Sequence, residues 1–185
     1  DINPSEHAFN LAESTGKDPR LVELILSESR EIVRHSKRTL HSSGVVVAEN
    51  HQGVVLANAG IDSSNVESKG EDEKVLLLPK DPDKSADNIK KKLQLKTKVR
   101  LAVIINDSLG RAWRNGTTGT ALGVSGIPAL LDLRGRPDLF EKPLRVSEEA
   151  IADELSSAAS LLQGQADEGR PIVLIRGFNF LEFTA

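Results

Sequence analysis

The chain has 185 residues, of which 38% are hydrophobic, enough to form one substantial core or two small lobes. Its net charge of −3, with five Phe, one Trp and no Tyr, argues against nucleic-acid binding, which needs a cationic excess or stacking platforms. The lack of cysteine excludes disulfides, thiolate zinc sites and iron–sulfur clusters. Because no apolar run is long enough to cross a bilayer, we expect a cytoplasmic protein with no membrane or nucleic-acid partner.

Two helices are predicted first. A short helix runs from Ser5 to a stop at Gly16. A longer one begins with Asp18 as N-cap and Pro19 at the first helical position. Apolar residues at helical spacing extend this second helix to about His35.

Strands are predicted next. The β-branched runs 44–48 and 53–57, separated by four polar residues, favour a strand pair. Val75 to Leu78 predicts a buried strand, and Val99 to Ile105 an interior one, because both are almost wholly apolar. The Gly/Thr-rich stretch from Gly110 to Gly126 predicts a loop with one short strand.

Two more helices complete the pattern. The turn at 81–83 starts a helix with one apolar face of Ala86, Ile89 and Leu93. Ser147 is predicted to cap the last helix, with its core face formed by Ile151, Leu155, Ala158 and Leu162. Pro171 leads into a final strand, Ile172 to Ile175. This order, without a regular βαβ repeat, predicts a mixed α+β fold.

The segment 58–65 follows a predicted strand and is a first candidate site. Its small residues let a ligand approach the backbone, while Asp62, Ser64 and Asn65 offer oxygen atoms. The alternative is a simple turn in which short polar side chains bond their own backbone, and spacing alone favours that alternative.

Asp107 and Ser108 follow an apolar strand and form a second candidate site. Carboxylate and hydroxyl oxygens are ligands that Mg²⁺ and Mn²⁺ favour. The alternative is that Asp107 caps a turn and Arg111 neutralises it. We favour a functional role, because so apolar a strand seldom ends in Asp-Ser.

The segment 163–169 is a third candidate site. Gly164 within a helix would cost roughly 1 kcal/mol relative to Ala, which suggests close approach by a ligand. A helix end with Gly169 as its cap explains the pattern equally well. Neither a P-loop nor a Rossmann fingerprint occurs, and Arg111 and Arg114 are candidates for anion contacts.

Seven segments, in order along nearly the whole chain, closely resemble the coenzyme F420-0:L-glutamate ligase family. They are residues 15–26, 57–66, 77–83, 110–114, 126–130, 152–155 and 164–169. The resemblance implies an unusual two-lobed α/β fold and a homodimer. It also implies GTP-dependent addition of L-glutamate to the coenzyme through an acyl phosphate, with further γ-linked glutamates added later.

The resemblance also implies the site residues. Two divalent cations, Mg²⁺ or Mn²⁺, are expected in each subunit, with K⁺ as an additional candidate ion. Asp62 and Asp107 would bind the first cation, and Ser108 and Gln165 the second. The nucleotide contacts would be Asn65, Gln163, Gly164, Gln165, Ala166, Asp167, Glu168, Gly169 and Arg170. From the chemistry of Arg rather than from the resemblance, Arg111 and Arg114 are expected to contact the substrate.

Two departures from the family pattern accompany this match. Ser108 stands where relatives usually have Thr, so the hydroxyl is kept. The family's leading segment is absent and residues 181–185 show no stop signal, so we expect a single ligase domain, 1–185, that is incomplete at both ends. The alternatives are a non-catalytic relative that binds nucleotide and metal, and an amide ligase that acts on a different acceptor.

Overall fold

The computed structural model describes residues 2–37, 39, 44–67 and 73–178; the C-terminal residues 181–185 lie outside this part. The chain divides into two compact units, residues 1–80 and 81–185. Both units combine helices with antiparallel strands, which confirms the α+β class. Among the described residues, no helix combines the length and hydropathy needed to span a bilayer.

Two capped helices open the first unit. Helix α1 (Glu6–Thr15) begins where the Ser5 side chain accepts a hydrogen bond from the Ala8 N–H, and it ends at Gly16, whose φ is 69°. Helix α2 (Pro19–Ser27) begins where Asp18 accepts one from the Arg20 N–H at 2.7 Å. The predicted N-cap Asp18 and the predicted helix limits at Ser5 and Gly16 are confirmed.

The second helix is shorter than predicted. It ends at Ser27, and residues Ser29–His35 form strand β1, which pairs antiparallel with β2 (Val46–Asn50). The extension to His35 was wrong because Ile32, which continues the helical spacing, packs against the core from a strand instead. Pairing with β2 outweighs that local spacing.

The predicted strand pair is confirmed, since β2 pairs antiparallel with β3 (Val55–Ala57). The predicted strand 75–78 is wrong: only Leu76 forms a bridge, to Asp62, and its side chain is 60% exposed. The core of this unit is formed by Ala8, Leu11, Ala12, Val22, Ile25, Val46, Ala48, Ala59 and Ile61.

The second unit begins with helix α3 (Pro82–Thr97), which confirms the helix predicted to start at the turn 81–83. Asp81 Oδ1 accepts a hydrogen bond from the Lys84 N–H at 2.8 Å. Of the predicted apolar face only Ala86 is buried, and Ile89 and Leu93 stay more than 40% exposed.

Strands β4 (Val103–Gly110) and β5 (Thr117–Ser125) form an antiparallel pair. The predicted strand 99–105 therefore begins and ends too early. The prediction of a loop with one short strand for 110–126 is also wrong, because most of that stretch is a nine-residue strand. Gly119 and Gly123 lower its strand propensity, but helices α3 and α4 approach its backbone closely at these positions.

The edge of β5 that faces away from β4 is covered by helix side chains. Asp83, in the first turn of α3, accepts the Val124 N–H at 2.7 Å. Asp153 accepts the Ala121 N–H at 2.8 Å, and Ser157 donates to the Gly119 carbonyl at 2.8 Å. Backbone groups that a further strand would otherwise pair with are thus satisfied.

The end of the second unit departs most from prediction. Glu148–Glu149 form strand β7, paired with β6 (Leu131–Asp132), so helix α4 (Ile151–Gln163) begins after Ala150 without a side-chain cap from Ser147. Its buried residues are Ile151, Ala152 and Ser156, whereas Ala158 and Leu162 are exposed. The predicted strand 172–175 is irregular chain, with Ile172 87% exposed.

Asp87 of α3 should make stability depend on pH. Hydrogen bonds from Lys91, Lys90 and Ser125 lower the pKa of its carboxyl from 3.8 to about 2. Because the folded pKa lies below the unfolded one, the contribution is complete above about pH 4 and is lost as pH falls to about 2. Urea unfolding at several pH values should show a wild-type advantage over Asp87→Asn near neutrality that disappears in acid; a constant difference would contradict this.

Candidate functional site

Asp62 lies in the first unit, in an exposed turn after β3. Its backbone pairs with that of Leu76 in both directions, and its Oδ1 accepts a hydrogen bond from the Ser64 N–H at 2.8 Å. The turn that spacing favoured is therefore present. It does not conflict with a metal role, because a carboxylate has about four lone-pair positions. Asn65 is exposed in the same turn, with φ of 56°.

A strained turn precedes Asp62. Asn58, Ala59 and Gly60 have φ values of 51°, 54° and 82°, in the left-handed region that non-glycine residues avoid. Ala59 is buried, and the Asn58 Oδ1 is buried without a hydrogen-bond partner among the described residues. Strain of this kind clusters at functional sites. The run Asn-Ala-Gly is the only local signal of this strained turn.

Asp107 and Ser108 lie in the second unit, within β4 rather than after its end. Both are half-buried, and Asp107 Oδ1 accepts a hydrogen bond from the Ser108 N–H at 2.7 Å. Adjacent strand residues point to opposite faces of a sheet. Ser108 pairs with Gly119, so it lies on the face that α4 covers, and Asp107 lies on the other face.

The predicted nucleotide segment, 163–170, leaves the end of α4. Gly164 is the C-cap of that helix, with φ of 78°, so neither a glycine inside the helix nor a cap at Gly169 is correct. The Glu168 carboxylate folds back over Gly164 and accepts the Ala166 N–H at 2.8 Å. Backbone N–H groups, that of Ala166 first, with Arg170 nearby, hold the pKa of Glu168 below its usual value.

Gln163 is joined to β4 by a pair of side-chain amides. Asn106 Nδ2 donates to Gln163 Oε1 at 2.9 Å, and Gln163 Nε2 donates back to Asn106 Oδ1 at 3.4 Å. Asn106 was not among the predicted site residues, because an amide pair between residues 57 positions apart leaves no local pattern in the sequence. The pair brings the start of segment 163–170 to the strand that carries Asp107 and Ser108.

Arg111 and Arg114 lie in the exposed turn that follows β4. The Arg114 N–H donates to the Arg111 carbonyl at 3.4 Å, and Trp113 between them is fully exposed. Arg111 also lines an open groove of about 720 Å³, together with Leu109, Gly110, Thr118, Gly119, Thr120, Asp153, Glu154 and Ser157. Arg114 is outside that lining.

The candidate metal ligands supply only oxygen atoms. Within the described part of the chain, no group of three or more His, Asp or Glu side chains could hold a metal ion. The predicted ligand sets contain two carboxylates at most, completed by the Ser108 hydroxyl and the Gln165 amide. These hard donors suit Mg²⁺ or Mn²⁺, which also keep water and phosphate oxygens as ligands.

Comparison with known proteins identifies relatives of this chain. The family model described as F420-0:Gamma-glutamyl ligase matches residues 1–177. The coenzyme F420:L-glutamate ligases of Methanocaldococcus jannaschii and Methanothermobacter thermautotrophicus are each 48% identical to it over 178 residues. The alignment covers 96% of this chain and 67% of each relative. The Archaeoglobus fulgidus enzyme of the same name is 39% identical over 179 residues, 97% of the chain and 68% of the relative.

Proposed function

The chain belongs to the F420-0:gamma-glutamyl ligase family, and we propose from that membership that it joins L-glutamate to the deazaflavin coenzyme F420-0 by an amide bond. The observation that carries the proposal is the match over residues 1–177, which includes both Asp62 and Asp107 and the whole of segment 163–170. The chain spans about two thirds of the length of the relatives named above.

The proposed chemistry solves a simple problem: a free carboxylate resists attack by an amine. The γ-phosphoryl group of GTP passes to the carboxylate of the coenzyme's lactyl-phosphate side chain, which leaves GDP and an acyl phosphate. The amine of glutamate then forms the C–N bond as the C–O bond breaks, and phosphate and a proton leave. Later glutamates are added through the γ-carboxyl group.

The residues proposed for this chemistry have separate tasks. Bound divalent cations neutralise charge on the phosphoryl oxygens. Asp62 and Asp107 hold one cation, while Ser108 and Gln165 hold the second; K⁺ is a further candidate ion. Asn65 and segment 163–170 contact the nucleotide. Arg111 and Arg114 contact substrate carboxylate or phosphate groups, since Arg binds both in a bidentate manner. We further propose that the protein is a homodimer in the cytoplasm.

Mass spectrometry of the coenzyme tests this function. After incubation with glutamate, GTP and Mn²⁺, we expect F420-0 to gain the mass of one or more glutamyl residues. Omission of GTP should abolish the gain, because no other phosphoryl donor is then present. A gain with ATP equal to that with GTP would contradict the choice of nucleotide. Coenzyme that binds but gains no mass would favour the non-catalytic alternative.

A further inference from the structure

The Gln163 side chain makes three hydrogen bonds where α4 ends. Its Oε1 accepts from Asn106 Nδ2 at 2.9 Å, and its Nε2 donates to Asn106 Oδ1 and to the Pro171 carbonyl, each at 3.4 Å. An amide group has one acceptor oxygen and two N–H donors. All three parts of the Gln163 amide are therefore engaged with the protein.

These hydrogen bonds close the loop 164–170 and attach it to β4. Gln163 and Pro171 stand at the two ends of the stretch 164–170, so the bond between them ties those ends together. The bonds to Asn106 attach the closed loop to β4. Asn106 and Gln163 are both half-buried, and a reciprocal amide pair defines orientation more strictly than one hydrogen bond does.

We propose that Asn106 and Gln163 are a positioning pair that holds the loop 164–170 against β4, on the face of the strand that carries Ser108. The proposal rests on the proposed function for the role of the loop. The Gln163 amide orients the loop through its hydrogen bonds to Asn106 and Pro171. The later residues of the loop contact the nucleotide and the metal. Groups that orient ligands in this way typically change metal affinity by about 10–100-fold when they are removed.

Hydrogen exchange of the metal-free protein tests the pair directly. Asn106→Leu keeps the side-chain size but removes both amide bonds. We expect faster exchange of the backbone amides in 164–170, with exchange in α1 and α2 unchanged. The double variant Asn106→Gln with Gln163→Asn, which keeps the combined length of the two arms, should restore slow exchange. Unchanged exchange in Asn106→Leu would overturn the proposal.

Thr118→Val is the matched control. It removes another hydrogen bond between the sheet and α4, that of Thr118 Oγ1 with Ser157 Oγ at 3.0 Å, and leaves the end of the helix intact. We expect exchange in 164–170 to stay at the wild-type rate. If Thr118→Val accelerates it as much as Asn106→Leu, general loosening of α4 explains the effect and the pair has no positioning role.

Titration with Mn²⁺ separates this proposal from the proposed function. Wild-type protein should bind Mn²⁺, and Asn106→Leu should bind it about 10-fold more weakly. If the wild-type protein binds no Mn²⁺, the proposed metal site is contradicted. The hydrogen-exchange result would still decide whether Asn106 and Gln163 position the loop. If Asn106→Leu does not fold, Gln163→Asn shortens one arm instead, and the same results are expected from it.

Discussion

Replacement of Asp62 by Asn is expected to leave the protein folded and to abolish glutamate addition. The Asn Oδ1 can still accept the Ser64 N–H that Asp62 now binds, so the turn is kept. The negative charge that would hold a divalent cation is lost. Because removal of groups beyond the direct ligands already lowers metal affinity or activity by about 10–100-fold, we expect a loss of at least about 100-fold. Thermal unfolding and the mass-spectrometric assay measure the two effects.

Asp138→Asn provides the control for this change. Asp138 Oδ1 also accepts backbone N–H bonds in a turn, from Phe140 at 2.7 Å and Lys142 at 2.9 Å, and no metal role is proposed for it. It should keep full activity. Wild-type activity in Asp62→Asn would show that Asp62 only shapes its turn.

Replacement of Gly119 by Ala is expected to lower the stability of the protein. A Cβ at this position would overlap the carbonyl oxygen of Ser156 and crowd the Ser160 side chain, so α4 would have to move away from β5. Overpacking of this kind costs about 1–3 kcal/mol. Urea unfolding should show a lower midpoint, and displacement of α4 should also shift the Asn106–Gln163 pair and lower activity.

Gly110→Ala is the matched control on the neighbouring strand. No atom lies within 4 Å of a Cβ built at Gly110, and its φ is not positive. The same substitution should therefore be neutral or raise stability by about 0.4–1 kcal/mol through the unfolded state. Equal unfolding midpoints for the two variants would show that the protein accommodates a Cβ next to Ser156 without loss of stability.

Three helix starts could be predicted from local signals in the sequence. Asp18 caps a helix as predicted, and the helices predicted to start at Ser5 and at the turn 81–83 begin there, because capping depends on residues within one turn. Strands depended on distant partners instead. Residues 29–35 match helical spacing but pair with β2, and residues 172–175 match a strand but pair with nothing in the described part of the chain.

The carboxylates of the candidate site could be predicted from the sequence, but the residues that position the neighbouring loop could not. Asp107 stood out because it follows an apolar run, and its hydrogen bond from the Ser108 N–H is local. Asn106 did not stand out, since its partner Gln163 is brought near only when α4 packs on the sheet. Gly119 suggested a loop because its close contact with α4, a helix far along the chain, is not visible in the local sequence.

The covered edge of β5 limits how this sheet can grow when copies of the chain meet. Strand addition requires outward N–H groups, and those of Ala121 and Val124 already donate to Asp153 and Asp83. A strand from another molecule that pairs with β5 would have to displace both carboxylates and the helices that carry them. Intermolecular strand exchange and edge-to-edge aggregation are therefore blocked along β5, and a dimer built by extension of this β4–β5 sheet would have to use the β4 side.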